Sequence, residues 1–133
     1  MYMINKELLI SGVVMLLLDM VYLSTIGKIF FSPLIKSLQG TDMKVNYGYA
    51  ICCYLLMIFG LNYFIISQNK NTFDAFLLGI FVYGVFDTTN GAIFKKWNIK
   101  ASIIDTLWGG FLFATVTYLT KKIKKKNQFY LIK

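Results

Sequence analysis

Four apolar segments, at residues 8–31, 45–67, 73–94 and 101–120, leave this chain few ways to fold. Each is close to the roughly 20 residues that a helix needs to cross the hydrocarbon of a bilayer. Backbone groups in lipid must be satisfied within the protein, so spans are helices or a closed barrel. The alternating strands of about ten residues that a barrel requires are absent. With 57% hydrophobic residues in 133, a soluble domain of this size would have to expose much of its apolar surface. The sequence therefore predicts an all-α integral membrane protein. It reads as one domain over residues 1–133, a four-helix up-down bundle followed by a basic tail at 121–133. The first segment is too long for a signal-peptide core, carries Asp19 in its middle and lacks a small-x-small cleavage site, so it reads as a retained helix.

The net charge of +8 comes with lysine as the only basic residue type. Six lysines follow Thr120, namely Lys121, Lys122, Lys124, Lys125, Lys126 and Lys133. Next to a membrane span, such a run reads as a stop-transfer tail that fixes topology and touches acidic head groups. The bilayer is thus the expected partner, and nucleic acid is not expected. Four spans put the N-terminus, the 68–72 loop and the tail on one side with eight lysines, against six on the other. The positive-inside bias then favours cytosolic termini. Cys52 and Cys53 are adjacent in the second span and point in different directions, which suits neither a shared metal nor a disulfide. They read as small buried thiols.

The connections are short. Pro33 is expected to end the first helix, and Gly40 to permit a turn within loop 32–44. In that loop Leu34, Ile35 and Leu38, set against Lys36 and Gln39, suggest a short interfacial turn. Thr72 is the expected N-cap of the third span. Lys95, Lys96 and Trp97 form an anchor at the membrane edge.

Three aspartates, Asp19, Asp87 and Asp105, lie inside the apolar segments. A charge near the centre of a membrane helix costs roughly 2.5–3.5 kcal/mol on insertion scales. No Arg or His lies in any span to offset it, and Lys100 is the one lysine within reach of Asp105. At 1.5 Å per residue, Asp19 falls about 0 Å from its span's midpoint, with Asp87 about 5 Å and Asp105 about 8 Å toward loop 95–100. Helical spacing puts Gly12, Met15, Asp19, Tyr22 and Ile26 on one side of the first helix. Gly79, Tyr83, Asp87, Asn90 and Gly91 share a side of the third, and Asp105, Trp108, Gly109 and Leu112 a side of the fourth. Each aspartate thus shares its stripe with a glycine, which permits close helix approach, and with an aromatic. The three carboxyls are expected to face one another inside the bundle.

Three runs carry a resemblance: Leu18-Asp19-Met20-Val21-Tyr22-Leu23, Tyr83-Gly84-Val85-Phe86-Asp87-Thr88-Thr89-Asn90 and Asp105-Thr106-Leu107-Trp108-Gly109. In this order they resemble the L-D-x-x-W-L, Y-D-L-T-N and D-x-x-W-G motifs of the membrane proteins grouped as domain of unknown function 2177. The similarity extends over nearly the whole chain up to Thr120. The departures are Tyr22 for Trp, Phe86 for Tyr and Thr88 for Leu. The resemblance implies a four-helix membrane protein and brings no activity with it.

The residues support a small transport protein or channel for protons, cations or a small solute. In it Asp19, Asp87 and Asp105 would bind the cation or proton, with Thr89, Asn90, Tyr22 and Trp108 supporting them. Four helices scarcely enclose a pathway, so a homo-oligomer is expected. An alternative is a membrane enzyme whose carboxylates hold a divalent cation beside a lipid head group, Mg²⁺ being suited to hard oxygen ligands. No His or Cys is placed as a base or nucleophile for it, and no cofactor is expected. A third reading is a non-catalytic assembly subunit, with protonated aspartates serving as interhelix contacts.

Overall fold

The computed structural model describes residues 5–132, so Lys133 of the basic tail lies outside the described residues. They form five α-helices: α1 (Lys6–Ser24), α2 (Ile26–Gln39), α3 (Tyr47–Leu61), α4 (Thr72–Ile93) and α5 (Ile99–Ile132). A π-helical turn, Asn62–Ile66, continues α3. No strand occurs among the described residues. Four helical stretches are long and apolar enough to cross a membrane: α1, α3 with its π turn, α4 and α5.

The first apolar segment is two helices, where the sequence suggested one. The break falls at Thr25, well before Pro33. Ser24 Oγ donates to Met20 O and Thr25 Oγ1 to Val21 O, each four residues back. Hydroxyls bonded in this way bend helices, and here two occur in succession. Pro33 lies inside α2, so the expectation that it ends a helix is corrected. The stop comes at Gly40, which takes the left-handed conformation (φ 79°) and returns its N–H to Lys36 O. Leu34, Ile35 and Leu38 accordingly belong to a full helix rather than to a loop turn.

An asparagine starts each of the four spans, with Asn98 accepting from Lys100 N and Ala101 N at the start of α5. Asn5 accepts from Leu8 N, Asn46 from Gly48 N and Tyr49 N, and Asn71 from Asp74 N. Thr72 is therefore the first helical residue of α4, with the cap one position earlier than the sequence suggested. A carboxamide oxygen on extended backbone satisfies the orphan amides of the first turn as well as a threonine would.

Residues 121–132 are not a separate tail. They continue α5, which is 34 residues long and so about 51 Å at helical rise. Lysine is a good helix former, and nothing in the run interrupts the helix. Lys124 pairs with Glu7 at the start of α1, and Lys121 Nζ donates to Lys70 O in the turn before α4.

α4 and α5 are the most closely packed pair. A Cβ on Gly79 would stand 2.1 Å from Gly109 O, and one on Gly109 would stand 2.3 Å from the Tyr83 ring. Only glycine permits this approach. α1 packs along α5, and Met15, Leu61, Leu112, Phe113 and Val116 fill the space between the helices. α3 leans on α1, where Asn62 Nδ2 donates to the buried Ser11 Oγ at 2.8 Å. α3 and α4 scarcely touch. Most of the α3 surface is therefore uncovered by protein, and Cys52 and Cys53 are exposed on it, contrary to their expected burial. Leu17, Val21, Leu56, Phe81 and Val85 are likewise exposed on the outside of the spans. In a bilayer that face meets acyl chains.

Candidate functional site

The helical stripes read from the sequence deliver their aspartates to one place. α1 buries Ser11, Gly12, Met15, Asp19 and Tyr22; α4 buries Ala75, Gly79 and Asp87; α5 buries Asp105, Gly109 and Leu112 along the facing side. Ile26, expected to continue the α1 stripe, is exposed, because the break at Thr25 resets the helical phase. Asp19 is 5% exposed, Asp105 7% and Asp87 0%.

A reciprocal pair of bonds joins α1 to α5. Tyr22 and Trp108 stack with ring centroids 4.7 Å apart and planes within 8°. The Tyr22 hydroxyl donates to Asp105 Oδ1 at 3.0 Å, and Trp108 Nε1–H donates to Asp19 Oδ1 at 2.8 Å. Each helix thus presents an aspartate and, three residues later, an aromatic donor. Residues three apart share a helix face, so when the two faces meet, each donor finds the other helix's acid. This crossed arrangement gives the Asp-x-x-aromatic spacing of both motifs a physical reason.

The motif order and this geometry agree with one further finding: residues 4–121 match the family described as Predicted membrane protein (DUF2177). The chain belongs to that family. No curated protein and no solved structure matches it.

The three motif-like runs of the sequence contain Asp19, Tyr22, Asp87, Asp105 and Trp108, all gathered here, but not every donor. Tyr54 on α3 donates its hydroxyl to Asp19 Oδ2, so both oxygens of Asp19 are engaged. Tyr54 was not among the residues singled out from sequence. The available signal was a phenol in the middle of a span, where tyrosine is less at home than at the interface. Thr106 Oγ1 donates to Asp87 Oδ2 over a long 3.4 Å. Asp87 Oδ1 is fully buried and finds no donor among the described residues. Its neighbour is the Asp105 side chain.

Two expected supporting residues lie elsewhere. Thr89 is exposed and Asn90 half-buried, and neither side chain bonds to an aspartate. They follow Asp87 by two and three positions, so Thr89 turns away from its face, while Asn90 lies near the end of α4. Lys100 forms no ion pair with Asp105. Among the described residues the ion pairs are Lys36–Asp42 and Lys124–Glu7, both outside this cluster. Every donor that reaches the three acids is thus a neutral hydroxyl or indole.

A groove of about 530 Å³ opens between α3 and α4 at mid-helix level. Asp19, Tyr22 and Asp105 form its floor, while Leu56, Met57, Val82 and Phe86 give it apolar walls. It exists because α3 packs on α1 and α4 packs on α5, leaving the two outer helices apart. No group of three His, Cys, Asp or Glu side chains among the described residues is arranged to hold a metal ion.

Proposed function

We propose that this membrane protein moves protons or small cations, or a small solute coupled to them, by way of Asp19, Asp87 and Asp105. One observation carries the reading: three acids from three helices meet inside the spans, and among the described residues no lysine side chain pairs with them. Intramembrane carboxylates are costly, and neutral side chains such as Asn or Ser would supply interhelix bonds more cheaply. The groove supplies a route from the side to Asp19 and Asp105. Asp87 Oδ1 behind them is a buried acceptor with no donor among the described residues, free to take up a proton.

The same reading takes the spans as an up-down four-helix arrangement. The contacts of Lys124 with Glu7 and of Lys121 with the turn before α4 support it by gathering alternate helix ends at one end. With the lysine balance, that end and both termini face the cytosol. The lipid bilayer is the partner, and copies of the chain associate to enclose a pathway that four helices leave open at the groove.

A second reading has one observation in its favour. Both Asp19 oxygens and one Asp105 oxygen already have donors, as expected of acids that hold helices together in an assembly subunit. Proteoliposomes separate the two. The transport reading expects Asp87→Asn to abolish pH-dependent cation or proton flux with expression and folding intact. It is rejected if the wild-type chain passes no tested cation or proton above empty vesicles. The subunit reading expects replacement of all three aspartates by Asn to leave folding and cellular phenotype unchanged.

A further inference from the structure

The far end of the bundle carries a second polar pocket, of opposite charge. It holds about 220 Å³ and is lined by Glu7, Asn69, Thr120, Lys121, Lys125 and Gln128, with Lys124 and Ile66 beside them. Positions 121, 125 and 128 follow helical spacing along one face of α5, and 120 and 124 form the adjacent row. Part of this set is already committed. Lys124 pairs with Glu7, cancelling the one acid in the pocket, and Lys121 donates to Lys70 O.

The rest is unspent. Lys125, Gln128 and the Asn69 side chain make no bond among the described residues. Thr120 is 0% exposed, lines the pocket, and its Oγ1 has no hydrogen-bond partner. A threonine in a helix ordinarily returns its hydroxyl to the preceding turn or to water. A buried hydroxyl without a partner costs about 1–3 kcal/mol, so a ligand oxygen placed there removes a penalty. Thr120 is about 32 Å along α5 from Ile99, close to the thickness of the hydrocarbon, which puts the pocket at head-group level.

We propose that this pocket binds the phosphate of an anionic phospholipid head group. The phosphate oxygens accept from Lys125 Nζ, Thr120 Oγ1 and the Gln128 amide, and the acyl chains descend past Ile66. Charge complementarity selects an anion, and the depth selects a lipid over a soluble phosphate. The inference is independent of the carboxylate site.

The test uses the full chain purified in detergent, with bound lipid followed by native mass spectrometry and by thermal shift. Phosphatidylglycerol is expected to bind in preference to phosphatidylcholine. Lys125→Gln is expected to weaken it about fivefold, in line with the contribution of one lysine near an anionic surface. Thr120→Val, which keeps the shape, is expected to weaken it to a similar extent of about fivefold. Lys122→Gln, on another face and over the Tyr118 ring, is expected to change it less than about twofold. Equal losses from Lys122→Gln and Lys125→Gln would mean diffuse attraction to the whole lysine run and overturn the proposal. So would an unchanged Thr120→Val, no preference for the anionic lipid, or inorganic phosphate shifting the melting temperature where phosphatidylglycerol does not.

Discussion

Tyr22 and Trp108 lie flat against each other across the α1–α5 interface, and each donates a hydrogen bond to the acid three residues before the other. The pair therefore does two jobs at once. It covers apolar surface with stacked rings, and it gives two intramembrane carboxyls a donor that brings no charge.

Removing one donor from this pair tests how much it holds. Tyr22→Phe keeps the stack but strips Asp105 Oδ1 of its hydroxyl partner, and is expected to destabilise the protein by about 1–3 kcal/mol. Tyr22→Trp restores an N–H and is expected to recover part of that loss. Denaturant unfolding in detergent measures both, and a loss no smaller with Trp than with Phe would show that the donor is not what matters at position 22.

The glycines of α4 and α5 give a sharper contrast. Gly79→Ala drives a methyl into the Gly109 backbone and is expected to cost about 1–3 kcal/mol or to separate the two helices. Gly60→Ala, with nothing within 4 Å, is expected to be neutral or mildly stabilising through helix propensity. Thermal unfolding of the two variants side by side decides the matter.

At the α1–α3 contact, Ser11→Ala removes the acceptor for the Asn62 amide, which retains Ile58 O. The expected loss is about 0.5–1.5 kcal/mol. A double-mutant cycle with Asn62→Leu should show coupling of about 0.5 kcal/mol or more.

Divalent metal is expected to leave the melting temperature unchanged, because the three carboxyls form no metal-holding group. A rise with Mg²⁺ that disappears in Asp105→Asn would revive the enzyme reading.

Helical period made the aspartate stripes legible, since Met15, Asp19 and Tyr22 must share a face if the chain is helical at all. The order of the three motif runs already resembled the family that matches residues 4–121. Breaks in the helices were less legible. Pro33 announces a stop and does not make one, while Ser24 and Thr25 look like ordinary polar residues until their hydroxyls bond backward. Neither was it evident that α3 would stand apart from α4. The structure pairs α4 with α5 through the Gly79–Gly109 approach and α3 with α1. The exposure of Cys52 and Cys53 and the access of Tyr54 to Asp19 both go with this pairing.

The two sides of the groove are unequally held. α4 is fastened to α5 by backbone contact with no room for a methyl, whereas α3 and its π turn meet α1 through side chains, in apolar packing and in the Asn62–Ser11 and Tyr54–Asp19 bonds. A guest larger than the present opening would therefore swing the α3 side outward and leave the α4 side in place. The first bond such a guest would strain is the one from Tyr54, so occupancy of the groove and the hydrogen bonding of Asp19 are mechanically linked.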